Sequence, residues 1–240
     1  MTEAAPITVA CVDLAGTTVA DGDTAETAFA EAIATLGIVS GTAAFERATA
    51  RFHDTRGESE IGVFRSLFDE PRAQAAHLAF ERSYGQLIDR RGLVPVPGAG
   101  DALRRLRSSG VRVCLLTGSG RTRQARIIDA LGWWDRADLT LSPEDVPRDR
   151  PWPDLVLTAA LRLGVDDVRN IAVCAATAPA IMSARRSGAS VAAGVLTGPH
   201  SRARLRTAGA THVLPTIADL PALVLRTPAC LLYTSAASKH

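Results

Sequence analysis

The stretch ITVACVDLAGTT, residues 7–18, decides the fold of this chain. Its first half is apolar and rich in β-branched and small side chains, which is typical of a strand buried on both faces of a sheet. The strand ends at Asp13, and Gly16 with two threonines then indicates a tight turn. In a parallel sheet, ligands bind where the carboxyl ends of strands meet, so we expect Asp13 at such an edge.

Five further apolar runs of similar length follow along the chain, and helical patterns separate most of them. The runs are VRVCLLTG (111–118), ADLTLS (137–142), NIAVCAA (170–176), ASVAAGVL (189–196) and THVLP (211–215). Strands that alternate with helices predict an α/β fold, a doubly wound parallel sheet covered by helices on both faces.

Residues 23–93 break this alternation, because they carry only helical periodicity until LVPVPGAG (93–100) ends it. We therefore predict a core of residues 1–22 plus 94–229, interrupted after its first strand by a helical cap of residues 23–93. CLLYTS (230–235) resembles the translation of a sequencing-library adapter. Residues 230–240 are therefore predicted to be a non-native tail, which also holds the chain's single lysine, Lys239.

Composition limits the classes of protein to which the chain can belong. Apolar residues make up 47% of the 240 residues, which is enough for a large core, and the net charge is only +2. Such a small charge argues against nucleic-acid partners and anionic membrane surfaces. No basic segment followed by an apolar run resembles a leader, and no apolar run approaches about 18 residues, so we expect a cytoplasmic protein with no membrane span.

Polar residues follow several of the predicted strands at the same edge. Asp13 ends the first strand, Thr117 and Gly118 end the second, and Arg150 begins the loop RPWPD (150–154). A carboxylate can attack phosphorus, while a hydroxyl and a fixed cation hold the phosphoryl oxygens as charge develops. The set therefore indicates phosphoryl or phosphonyl transfer.

Four segments carry a resemblance to a known family. DLAGTT (13–18), LLTG (115–118), RPWPD (150–154) and AATAPA (175–180) resemble, in order, the four motifs of the haloacid dehalogenase (HAD) superfamily. The helical insert stands where that superfamily carries its first type of cap. Ala15 in DLAGTT is similar to the phosphonatase-like subgroup, and the resemblance covers residues 7–229. It implies a HAD-type Rossmannoid core and hydrolysis of a small phosphate ester or phosphonate through an aspartyl-phosphate.

The resemblance also implies roles for individual residues. Asp13 would be the nucleophile, and Mg²⁺ would bind its carboxylate together with the backbone carbonyl of Ala15. The phosphoryl group would be bound by Thr17, Thr117, Gly118 and Arg150. The substrate would be a small organophosphorus compound.

The fourth motif departs from the family pattern, because Ala176 and Ala180 stand where the family carries acids. Mg²⁺ requires oxygen ligands in near-octahedral geometry, so we expect weakened metal binding and impaired catalysis. Glu144 and Asp145 are candidates for supplying the missing ligand.

The cap departs from the pattern as well. Phosphonoacetaldehyde hydrolases form an imine through a cap lysine, and Glu60 occupies that region here. An imine requires a primary amine, so this route is not expected. Arg56 and Glu60 are candidate substrate contacts in the cap.

Three interpretations follow from these residues. The first is an active hydrolase, impaired by the loss of the acids in the fourth motif. The second is a catalytically inactive relative that keeps a phosphate-binding or regulatory role. The third is a receiver-like phosphoacceptor, which also uses an aspartate, a threonine and a cation. Receivers carry no helical cap after the first strand, so this interpretation is disfavoured.

Overall fold

The computed structural model describes residues 6–20 and 22–225. Its strands are β1 (Val9–Asp13), β2 (Val19–Ala20), β3 (Val94–Pro95), β4 (Arg112–Leu116), β5 (Leu139–Leu141), β6 (Ile171–Ala175), β7 (Val191–Val195) and β8 (His212–Leu214). Six of them form a parallel sheet in the order β5-β4-β1-β6-β7-β8. The chain builds one side of the sheet from β1 and then the other, which confirms the predicted doubly wound parallel sheet.

The described residues form ten α-helices, and the last six of them pack on the two faces of this sheet. The ten helices are α1 (Thr24–Ala34), α2 (Ala43–Asp54), α3 (Glu60–Leu67), α4 (Glu70–Arg91), α5 (Ala99–Ser108), α6 (Arg121–Leu131), α7 (Asp154–Arg162), α8 (Ala178–Ser187), α9 (Arg202–Thr207) and α10 (Leu220–Val224). Alternate residues of β1 point to opposite faces, as a strand requires. Ala10 and Val12 belong to a core shared with α5, α6 and α10, whereas Val9 and Cys11 belong to one shared with α7 and α8.

The four helices α1 to α4 form a unit inserted between β2 and β3. Four phenylalanines lie at its centre, and the rings of Phe29 and Phe52 stack with centroids 4.3 Å apart. Phe64 lies 5.6 Å from Phe29 and 5.8 Å from Phe80, so aromatic packing holds the insert together. These rings belong to the same hydrophobic cluster as Ala10 and Val12 of β1.

A two-stranded antiparallel ribbon connects the insert to the sheet domain. Val19 pairs with Pro95 and Ala20 with Val94. The sequence did not indicate this ribbon, because each strand has only two residues and the second contains a proline.

Three further observations concern the tail, membrane spans and cysteines. The predicted tail, residues 230–240, lies outside the described residues. Within the described part of the chain, no helix has both the length and the apolar character needed to cross a membrane. Cys11, Cys114 and Cys174 are buried free thiols.

Candidate active site

The register of the sheet determines which residues meet at its carboxyl edge. Asp13 pairs with Leu116 and Val12 with Cys174, so Ala175 lies beside Asp13 on one side and Thr117 follows its neighbour on the other. A cavity of about 340 Å³ lies between this edge and the insert. Its lining includes these residues predicted from the sequence: Asp13, Ala15, Thr117, Gly118, Arg150, Arg56 and Glu60.

The turn after β1 holds the Asp13 carboxylate at the edge. The carbonyl oxygen of Leu14 accepts hydrogen bonds from the backbone N–H groups of Thr17, Thr18 and Val19, at 3.1, 2.8 and 3.1 Å. Gly16 adopts a φ of +71°, which favours glycine, and the Thr18 hydroxyl donates to the Asp13 carbonyl oxygen at 3.2 Å. Thr17 is fully buried and does not line the cavity, which separates it from the other predicted phosphoryl ligands.

Asp13 and Arg150 form a buried ion pair at the floor of the cavity. Arg150 Nη2 donates to Asp13 Oδ1 at 2.9 Å, and Nη1 donates to Oδ2 at 3.2 Å. The side chains are only 6% and 4% exposed, so little water screens the charges. Burial acts to lower the pKa of Arg150, but Asp13 and Asp149 outweigh it and raise that pKa.

Asp149 is a partly buried acid with buried carboxylate oxygens, and the sequence analysis missed it. Neither of its carboxylate oxygens has a hydrogen-bond partner among the described residues. Burial raises its pKa, Arg150 opposes the shift, and Asp13 and Glu144 add to it. The only sequence signal was its place immediately before Arg150.

The space beside Asp13 at the end of β6 is filled. Ala176 is fully buried, and a Cβ atom built on Gly198 would lie 2.3 Å from the Ala176 Cβ. Thr197 Oγ1 donates to the Gly16 carbonyl oxygen at 2.7 Å, which fixes this loop against the turn after β1. The loop therefore occupies the region into which a longer side chain at position 176 would extend.

These residues do not fit a Mg²⁺ ion at Asp13. The Arg150 guanidinium binds both carboxylate oxygens of Asp13, so it compensates the charge of this aspartate and would repel a divalent cation. Position 176 offers a methyl group where a ligand is needed. Glu144 and Asp145, the two candidates for supplying the missing ligand, have other partners. Glu144 accepts from the backbone N–H of Arg121 at 3.1 Å, and neither acid lines the cavity. Asp145 pairs with two arginines, Arg121 and Arg162.

A second charged cluster lies on the cap side of the cavity. Glu60 Oε1 accepts from the Ser119 hydroxyl at 3.1 Å, and Glu60 Oε2 is bound by Arg123 Nη2. Arg123 also donates to Glu81 Oε1 at 2.6 Å, and it is only 5% exposed. Its guanidinium lies over the rings of Phe80 and Tyr84. Arg123 thus connects the sheet domain to the insert. The helical pattern of the sequence around Arg123 did not indicate this contact.

The ligand atoms of Glu60, His77 and Glu81 lie within 4.8 Å of one another, as in a metal site. Arg123 donates to both acids of this group, and its positive charge compensates one of the two carboxylate charges. The arrangement is therefore an ion-pair cluster, and a divalent cation there would be repelled by Arg123.

The loop before α3 rests directly on the edge of the sheet. A Cβ atom built on Gly57 would lie 2.4 Å from Thr177 Oγ1, and one built on Gly118 would lie 3.8 Å from the Gly57 carbonyl oxygen. Arg56 stacks over the Phe52 ring at 5.3 Å and pairs with Glu26 at 3.7 Å. The insert therefore covers the cavity above Asp13.

Known proteins share both sequence and fold with this chain. Phosphonoacetaldehyde hydrolase of Pseudomonas fluorescens is 34% identical over 95 residues, which are 39% of this chain and 34% of that protein. The enzyme of the same name from Bordetella pertussis is 27% identical over 150 residues, 53% of this chain and 54% of that protein. The matches thus span between a third and about half of the length of these relatives.

A solved structure has the same fold. The phosphonoacetaldehyde hydrolase-like protein of Oleispira antarctica superposes with a TM-score of 0.79 at 22% identity, over 92% of each chain. The family profile described as haloacid dehalogenase-like hydrolase matches residues 7–174, which is more than half of the chain. This chain therefore belongs to the haloacid dehalogenase-like hydrolases.

Proposed function

We propose that this protein hydrolyses a small phosphate ester or phosphonate, with Asp13 as the nucleophile. The observation that carries the proposal is the buried Asp13–Arg150 pair, which faces a cavity covered by the insert, beside Thr117 and Gly118. A carboxylate oxygen has more than one lone pair, so Asp13 can accept from Arg150 and still attack phosphorus.

Different residues of this chain would act as the nucleophile and as the phosphoryl ligands in such a reaction. Asp13 attacks phosphorus and forms an aspartyl-phosphate, which water then hydrolyses. Arg150 has N–H groups beyond the two that bind Asp13, and these can hold phosphoryl oxygens together with the Thr117 hydroxyl. Because Mg²⁺ does not fit beside Asp13, Arg150 supplies the positive charge that offsets repulsion between the nucleophile and an anionic substrate.

The substrate named in the relatives is not carried over to this chain. Glu60 occupies the region of the lysine that forms an imine, and the chain has only Lys239. A carboxylate cannot form an imine, so the proposed substrates are esters and phosphonates that need none.

A binding role without turnover is the second candidate, and the alanines at positions 176 and 180 favour it. One experiment separates the two functions. Purified protein is incubated with aryl and alkyl phosphates and with phosphonates, with Mg²⁺ and with a chelator, and phosphate release is measured. Phosphate binding is measured by calorimetry on the same samples.

We expect phosphate release that persists in the chelator and disappears in Asp13→Asn. Asp145→Asn is the matched control, because Asp145 also follows a strand of the sheet but does not line the cavity. Phosphate binding without release would support the binding role and contradict the hydrolase.

A further inference from the structure

An alkyl phosphate hydrolase needs a proton donor, because an alkoxide is a poor leaving group. Ala15, two residues after the nucleophile, has a side chain that cannot transfer protons. Besides Asp13, the acids that line the cavity are Glu26, Glu58 and Glu60. Glu58 is exposed, and Glu26 is 47% exposed and pairs with His53 and Arg56, whereas Glu60 is only 17% exposed.

Resting on the function proposed above, we propose that Glu60 is the general acid and base of this site. It donates a proton to the leaving-group oxygen and then takes one from the attacking water. Glu60 begins α3, directly after the loop that rests on Gly118.

Contacts connect Glu60 with the phosphoryl end of the cavity. The Ser119 hydroxyl donates to Glu60 Oε1 at 3.1 Å, and the Ser119 backbone N–H donates to Thr117 Oγ1 at 3.0 Å. A Cβ atom built on Gly118 would lie 3.5 Å from Arg150 Nη1 and 3.9 Å from the Glu58 carbonyl oxygen. The loop that directly precedes Glu60 therefore lies within contact distance of the residues proposed to bind phosphate.

The surroundings of Glu60 suit proton transfer at neutral pH. Burial raises the pKa of Glu60 to about 7, Arg123 opposes the shift, and Glu81 adds to it. The groups that face Glu60 are Glu81 and His77 from α4, Arg123 from α6, and Ser119 from the loop between β4 and α6. A group that titrates near the working pH is present in both forms, as an acid and base must be.

The steps balance in atoms and protons. Asp13 forms a bond to phosphorus as the bond from phosphorus to the ester oxygen breaks, and that oxygen takes the Glu60 proton. Water then attacks the phosphorus of the aspartyl-phosphate and gives a proton to the Glu60 carboxylate. The products are the alcohol and phosphate, with Asp13 and Glu60 restored.

The test compares an alkyl ester, propyl phosphate, with dinitrophenyl phosphate, whose leaving group needs no proton. Glu60→Gln is expected to lower kcat for propyl phosphate on the order of 100-fold and to leave dinitrophenyl phosphate within a few-fold. The loss of rate above about pH 7 with propyl phosphate should disappear in the variant. Glu60→Asp, which keeps a carboxyl group, should retain more of the propyl phosphate rate.

Glu81→Gln is the matched control, because Glu81 shares Arg123 with Glu60 but does not line the cavity. At its own optimum pH, this variant should hydrolyse both propyl phosphate and dinitrophenyl phosphate at rates within a few-fold of the wild-type rates. Equal losses with both esters in Glu60→Gln would leave the hydrolase standing and overturn the role of Glu60. A wild-type protein that hydrolyses neither ester would overturn the hydrolase and this proposal together.

Discussion

Arg150→Met tests whether the buried ion pair holds the site together. The variant removes both donors to Asp13 and leaves its carboxylate in a site where the side chain is 6% exposed. Removing one partner of a buried pair costs about 3–5 kcal/mol of unfolding free energy, because the other charge stays buried without a partner. Asp149 loses the same cation, so we expect the upper part of this range.

Urea denaturation of four proteins measures the effect: wild type, Arg150→Met, Asp13→Asn and the double variant. The double variant leaves no unpaired charge at position 13. Its loss of unfolding free energy should therefore be smaller than the sum of the two single losses, by about 2 kcal/mol. Arg65→Met is the control, since Arg65 binds Glu70 with the same two-bond geometry at an exposed site. We expect no resolvable change there. A cost for Arg150→Met no larger than for this control would refute the reasoning.

The remaining predictions concern pH and metal. In the folded protein the pKa of Glu60 is raised from 4.5 to about 7. Its protonated form therefore contributes to the free energy of unfolding at low pH, and this contribution is lost as pH rises through this window. The melting temperature of wild type should therefore fall relative to that of Glu60→Gln between about pH 5 and about pH 8, and parallel curves would contradict this. Millimolar Mg²⁺ should release no heat with wild type beyond that seen with Asp13→Asn. Ala176→Asp should lower stability, since its carboxylate meets Gly198, and Mg²⁺ should recover part of the loss.

The sheet could be predicted from the sequence because its signals are local. Each strand is a short apolar run between turn residues, and Asp13 and Thr117 directly follow or end two of these runs. Parallel strands present their carboxyl ends at one edge of a sheet, and this rule was enough to predict that these residues lie close together.

The rest of the site depends on contacts between distant segments. The sequence around Arg123 is typical of an ordinary surface helix, yet this arginine is buried because the insert folds over it. Gly198 fills the space beside Ala176 from a loop that follows another strand. Neither contact leaves a pattern in the neighbouring sequence, so only the packed structure could reveal them.

The ribbon of β2 and β3 has a mechanical consequence. Its paired strands carry both chain crossings between the domains, and the Val96 N–H donates to the Thr18 carbonyl oxygen at 2.9 Å beside it. Two crossings bonded to each other can bend together, but they resist twisting and sliding independently. The ribbon therefore ties the four-helix unit, and Glu60 with it, to the sheet domain through two connections that are bonded to each other.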